Sequence, residues 1–158
     1  RRNSKELKMD YSFLIYIGMV CALCFSAVGS GFGAVKASLA SVGGWKKCYI
    51  NGKQDPFIMV GFAGAPLTQT IYGFLLSNFI SAKLATPTLS YGIMSLCIGI
   101  LAGAVIGISA LFQGKVAASS ADALAETGKG TAKYFIVIGI IETVALFTLV
   151  FSLLILNN

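Results

Sequence analysis

Four apolar stretches, each longer than the roughly 20 residues a helix needs to cross a bilayer, follow one another with only short connections between them. Helices are expected over about residues 11–41, 57–83, 89–124 and 131–156. The runs are continuous and do not alternate in segments of about ten residues, which disfavours a membrane-spanning barrel. The segments between them, Gly43-Gly44-Trp45-Lys46-Lys47, Thr86-Pro87-Thr88 and Gly128-Lys129-Gly130, carry turn or breaker chemistry. The expected fold is therefore an all-α membrane protein with four transmembrane helices arranged as two tandem helical hairpins. Residues 1–10 form a polar N-terminal extension, 11–84 the first hairpin and 85–158 the second. The first apolar stretch is too long for the 7–15-residue core of a signal peptide.

Composition agrees. Only 11% of the residues are charged, against about a quarter in a soluble domain. The net charge of +6 comes from basic residues near segment ends, where they set topology; this disfavours a nucleic-acid partner. Cys21 and Cys24 have CxxC spacing, but with no second pair and no histidine they cannot complete a thiolate zinc site. They read as small packing residues. Gly29-Ser30-Gly31-Phe32-Gly33 lies inside an apolar helix with no strand before it, and no G-x-x-x-x-G-K-[ST] loop occurs, so nucleotide binding is not expected. Nothing points to an organic cofactor.

The helices fall into two kinds. Every fourth residue of the first is small (Gly18, Ala22, Ser26, Ser30, Ala34, Ser38), and so is a neighbouring row, Gly29, Gly33, Ala37 and Ser41. The third helix repeats this with Ser95, Gly99, Gly103 and Gly107, then Ala110, Gly114 and Ala117. Such rows let helix backbones approach closely in lipid. They fit either small-residue pairs within one chain or, better, the inner face of a homo-oligomeric ring. The second and fourth helices carry Phe74, Leu75, Phe79 and Leu146, Phe147, Phe151, which suit lipid or bulky packing. An offset of about 75 residues lays Thr143 over Thr68, Phe147 over Tyr72 and Ser152 over Ser77, as expected of a duplicated hairpin. In that register Glu142 falls over Leu67.

Of the six acids, Glu6, Asp10, Asp55, Asp122 and Glu126 lie near helix ends or connections. Glu142 does not. It sits in Ile140-Ile141-Glu142-Thr143-Val144, about 3 Å from the middle of the fourth span at 1.5 Å rise per residue. A charge there costs roughly 2.5–3.5 kcal/mol on the most lenient scale, so it persists where it binds an ion or a proton. At the same depth the second helix offers Thr68, Gln69 and Tyr72 on one face, and the third offers Gln113. Two carboxylate oxygens, two amide carbonyls and a hydroxyl make a shell suited to a hard cation. Pro66 lacks an N–H and frees a main-chain carbonyl one turn earlier.

The stretches Pro66-Leu67-Thr68-Gln69-Thr70-Ile71-Tyr72-Gly73, Phe112-Gln113-Gly114-Lys115-Val116-Ala117-Ala118 and Ile141-Glu142-Thr143 resemble the membrane rotor-ring subunit of V/A-type rotary ATPases. This is the proteolipid called K or c, in its duplicated four-helix, sodium-translocating form. The resemblance runs from about residue 9 to 158. It implies Na+ ligation by Thr68, Gln69, Gln113, Glu142 and the main-chain carbonyl of Ala65, with Tyr72 hydrogen-bonding the glutamate to close the site. Leu67 and Thr70 stand where relatives commonly have glycine. It further implies a ring of identical copies in lipid, a stator subunit with an arginine, central-shaft subunits at the connections, and ATP hydrolysis in other subunits. The chain itself would have no catalytic site.

The alternatives are the same role with H+, a small proton-coupled four-helix transporter, or a purely structural tetraspan protein. Seven basic residues flank the hairpin connections (Lys36, Lys46, Lys47, Lys53, Lys115, Lys129 and Lys133) and five the other side, which places the connections in the cytoplasm. A prokaryotic plasma membrane is the expected location.

Overall fold

In a computed structural model the chain is described over residues 4–157, with side chains described over residues 11–157. Its described residues form helices and no strand. Helix α1 spans Ser4–Ile50 and α2 Met59–Gly64. A 3-10 turn at Ala65–Leu67 leads into α3, Thr68–Ser81, which ends in a second 3-10 turn, Ala82–Ala85. Helices α4, Leu89–Thr127, and α5, Thr131–Asn157, complete the chain. Four segments are long and apolar enough to cross a membrane: Tyr11–Ile50, Met59–Ala85, Leu89–Thr127 and Thr131–Asn157. The tandem-hairpin architecture read from the hydropathy is what forms. Residues 1–3 of the expected polar extension lie outside the described residues, and from Ser4 onward the extension continues α1.

One boundary differs from the expectation. The turn expected at Gly43-Gly44 does not form, and the first helix, instead of closing at Ser41, runs on to Ile50. Two glycines in a helix interior cost about 0.5–1 kcal/mol each relative to alanine, but packing here offsets that. A Cβ at Gly44 would stand 3.1 Å from the Ala125 side chain and 3.3 Å from Met59 Sδ. One turn on, Cys48 is buried and its thiol lies 3.7 Å from the Ala125 carbonyl. The Trp45 indole donates to the Pro56 carbonyl at 3.0 Å, tying the far side of the connection to the helix. The reversal falls instead at Asn51-Gly52, where Gly52 takes φ +60 and the Asn51 side chain caps the Lys47 carbonyl at 2.7 Å.

The other boundaries lie close to their expected places. Thr88, extended at φ −120, caps α4 by accepting the Tyr91 N–H at 3.2 Å. Gly128 closes it in the left-handed conformation, its N–H bonded to the Leu124 carbonyl at 2.8 Å. Pro66 does not break the second span. It sits in the 3-10 turn, whose tighter winding absorbs the missing donor, so the span crosses as two helices in near-continuation.

The small-residue rows explain how the pieces pack. A Cβ added at Gly29 would fall on the Gly107 backbone, and one at Gly114 on Gly33. Helices α1 and α4 thus run parallel with backbones touching, so much of the small-residue surface is used inside one chain. Helix α3 packs antiparallel on α1, with Gly73 against Ser26 and Ala22, and α5 packs on α4. Phe74, Phe79, Leu146, Phe147 and Phe151 are exposed on the outer surface, as a lipid-facing role requires. The interior holds two apolar clusters. One contains Leu76, Ile80, Ala102, Ile106 and Ala145; the other contains Ala37, Phe62, Ala117, Leu124 and Ile138. A polar layer separates them.

Candidate ion-binding site

The polar layer is built where α3 begins. Because the 3-10 turn ends at Leu67, Thr68 and Gln69 open the helix with Tyr72 one turn on; Gln69 reaches α4 and Tyr72 reaches α5. The Thr68 hydroxyl lies 3.1 Å from the Ala65 carbonyl and 3.2 Å from Gln69 Oε1. Gln69, fully buried, donates from Nε2 to Gln113 Oε1 at 2.8 Å. Gln113, also fully buried, uses both amide hydrogens on α5, reaching the Ile138 carbonyl and Glu142 Oε2, each at 3.2 Å. The other carboxylate oxygen, Oε1, accepts from the Tyr72 hydroxyl at 2.8 Å. A chain of hydrogen bonds therefore runs from Thr68, whose single proton lies between the Ala65 carbonyl and Gln69 Oε1, through Gln69 and Gln113 to Glu142, which also accepts from Tyr72.

The direction of the chain follows from its end. An ionised carboxylate only accepts, so Gln113 must turn its nitrogen toward Glu142 and its oxygen toward Gln69. Gln69 must then present its nitrogen to Gln113 and its oxygen to Thr68. The two amides thus each donate toward the acid. Burying two amides without such pairing would leave polar groups stripped of water, which is why two glutamines at this depth occur as a bonded pair.

Glu142 is half-buried and has no cationic partner among the described residues. The one ion pair among them joins Lys47 to Glu126, at the connection end of α1 and α4. The negative charge is thus met only by dipoles, while oxygens of Gln113, Gln69, Thr68 and Ala65 stand along the same chain. That set can surround a small cation with oxygen or hold a protonated acid.

Every residue singled out from sequence depth, Thr68, Gln69, Tyr72, Gln113 and Glu142, lies in this network, as does the Ala65 carbonyl. That carbonyl also accepts the Thr68 backbone N–H, closing the 3-10 turn. Two contributors were not anticipated. The Ile138 carbonyl anchors Gln113, and a main-chain atom four residues before the acid leaves no mark in the sequence. Ser109 donates to the Ile141 carbonyl at 2.9 Å, tying α4 to α5 beside the acid. Its place one turn before Gln113 on the same face was a readable signal.

Residues 96–155 match the family model for the C subunit of ATP synthase. The match covers a little over a third of the chain: α4 from its third turn, and α5 almost to its end, with Gln113 and Glu142 inside it. It supports a proteolipid of the rotary-ATPase rotor kind, a membrane protein that assembles with other copies into an ion-translocating ring. Thr68, Gln69 and Tyr72 lie outside the matched segment.

Proposed function

We propose that this chain is the duplicated, two-hairpin rotor-ring subunit of a V/A-type rotary ATPase, and that it carries Na+ across the membrane at Glu142. The observation that carries the proposal is the continuous chain of hydrogen bonds that gathers Thr68, Gln69, Gln113 and Tyr72 from two helices onto the mid-span carboxylate of a third. A proton needs one acceptor. A sodium ion stripped of water needs several oxygens, and Glu142, the side-chain oxygens of Gln113, Gln69 and Thr68, and the Ala65 carbonyl supply them.

In this reading an occupied site is electrically neutral and can pass through lipid as the ring turns. An emptied Glu142 is an anion that lipid rejects and that a stator arginine accepts, so rotation and ion movement are coupled through one electrostatic rule. Tyr72 holds the loaded carboxylate closed. With Leu67 in the first hairpin where the second has Glu142, each four-helix unit carries a single ion, which favours pumping driven by ATP hydrolysis in other subunits. The connections dock on central-shaft subunits, and the membrane is a prokaryotic plasma membrane.

Carbodiimide labelling of the purified, detergent-solubilised protein tests this. Modification should fall on Glu142 and be suppressed by millimolar Na+ at constant pH. Protection by protons alone would make H+ the cargo, and labelling spread over Asp55, Asp122 and Glu126 would remove the site.

A further inference from the structure

Buried serines in these helices share a habit. Ser26 bonds back to the Ala22 carbonyl at 2.7 Å, Ser41 to Ala37 at 2.9 Å, Ser120 to Val116 at 2.8 Å and Ser152 to Thr148 at 2.7 Å. Ser30 breaks it. It is 1% exposed, and its hydroxyl has no hydrogen-bond partner. A buried hydroxyl without a partner carries the full penalty of lost hydration.

Its place is given by the glycines around it. A Cβ at Gly73 would fall on the Ser26 side chain, and one at Gly33 would stand 3.0 Å from Pro66 Cβ. Helices α1 and α3 are antiparallel, so one turn beyond Ser26 lies level with one turn before Gly73. That sets Ser30 at the level of Gln69. On the other side, Gly29 meets Gly107 and Gly33 meets Ala110, which puts Ser30 beside the turn of α4 that leads to Gln113. Gln69 is fully buried and uses one of its two amide hydrogens, on Gln113 Oε1. An acceptor without a donor and a donor without an acceptor share one level of the interior.

We infer that Ser30 is a positioning residue for Gln69, taking the Gln69 amide N–H when a cation occupies the site. The inference rests on the cation-binding reading above. In the cation-free network the Gln69 N–H occupies Gln113 Oε1, an oxygen the cation also needs. A cation there repels the positive end of the Gln69 amide and attracts its oxygen, so the amide must turn. The released N–H has no water to meet at this depth, and Ser30 Oγ is the unused acceptor beside it, directly or across one buried water. The Ser30 proton then takes the Ser26 carbonyl, as the other serines do.

The test measures the Na+ concentration that half-protects Glu142 from carbodiimide in assembled protein, together with the thermal dissociation midpoint without Na+. Ser30→Ala should raise the half-protecting concentration about tenfold, the worth of one hydrogen bond, while the Na+-free midpoint stays level or rises. In a Gln69→Ala background the same substitution should add nothing, because the two act as one unit. If Ser30→Ala fails to assemble, Ser30→Cys, which keeps the volume and weakens the acceptor, should show the same shift. An unchanged half-protecting concentration, an additive effect on top of Gln69→Ala, or a fall in the Na+-free midpoint that accounts for the shift overturns the role. Absence of Na+ protection in the unaltered protein would instead remove the underlying cation reading, and this inference with it.

Discussion

Helices α1 and α4 meet backbone to backbone through glycine, alanine and serine, whereas α3 and α5 meet across the carboxylate of Glu142 and the hydroxyl of Tyr72. The first contact gains dispersion by bringing atoms close and uses no charge. The second leaves helices of bulky outward side chains joined inward by polar atoms. Together they show a division of labour: a tight parallel pair fixes the positions of α3 and α5, and the wedge between them becomes a place where a charge can be kept partly dry at defined distances. Shape comes from one pair and chemistry from the other, so substitutions in each should fail differently.

The largest effect belongs to the polar pair. Glu142→Gln keeps the size and hydrogen-bonding capacity of the side chain but removes its charge, so protein carrying it should assemble to the same native mass. Ion transport driven by ATP in the reconstituted complex should drop to background, read as radioactive sodium uptake into vesicles. Full transport by the variant would show that the charge is not where the cargo rides.

The tight pair should fail through assembly. Gly107→Val places branched carbon where the Phe25 backbone lies, beside Ser26. Overpacking of this kind costs about 1–3 kcal/mol and more where backbone must move, so the assembled protein should dissociate at a clearly lower temperature. Gly31→Ala is the matched control: its Cβ would meet nothing within 4 Å, and the dissociation temperature should hold or rise slightly. Equal losses from the two would mean that helix propensity, and not close approach, sets the stability of the pair.

The difference between the two pairs also explains what could be read from sequence. The spans and the acid were legible because membrane cost is nearly additive along a chain: an apolar run of sufficient length crosses, and a lone glutamate within it stands out. Depth alone then collected Thr68, Gln69, Tyr72 and Gln113. The end of α1 was not legible, since Gly43-Gly44 has breaker chemistry locally and is overruled by contacts with Met59 and Ala125, which are distant in sequence. The idle hydroxyl of Ser30 was equally hidden, because its row of small residues gives no sign of which serine bonds its own helix. The small-residue rows had two destinations, a neighbouring helix of the same chain or another copy, and only the packing shows how much of the surface the chain keeps for itself.

A smaller effect is expected from Tyr72→Phe, which keeps the ring and deletes one donor to Glu142 Oε1, now bonded at 2.8 Å. Hydrogen bonds to charged groups contribute about 1.5–3 kcal/mol, so Na+ should protect Glu142 from carbodiimide at least about tenfold less well. The dissociation temperature should move little, because Tyr72 is only partly buried and its ring remains. A large loss of stability without loss of protection would place Tyr72 with the packing pair and not with the site.

The smallest effect is expected at the connection end, where Lys47 and Glu126 join α1 to α4. Both side chains are about half exposed, and an exposed pair exchanges its attraction for ordered side chains and is screened by salt. The junction has other ties: Lys53 donates to the Glu126 carbonyl at 3.0 Å, and the Cys48 thiol reaches the Ala125 carbonyl. Lys47→Ala should therefore leave the dissociation temperature unchanged within error, at low salt and at high salt alike. A drop comparable to that of Gly107→Val would reverse the comparison, since α1 and α4 would then be held by charges at their ends, and the glycines between them would follow from the contact without causing it.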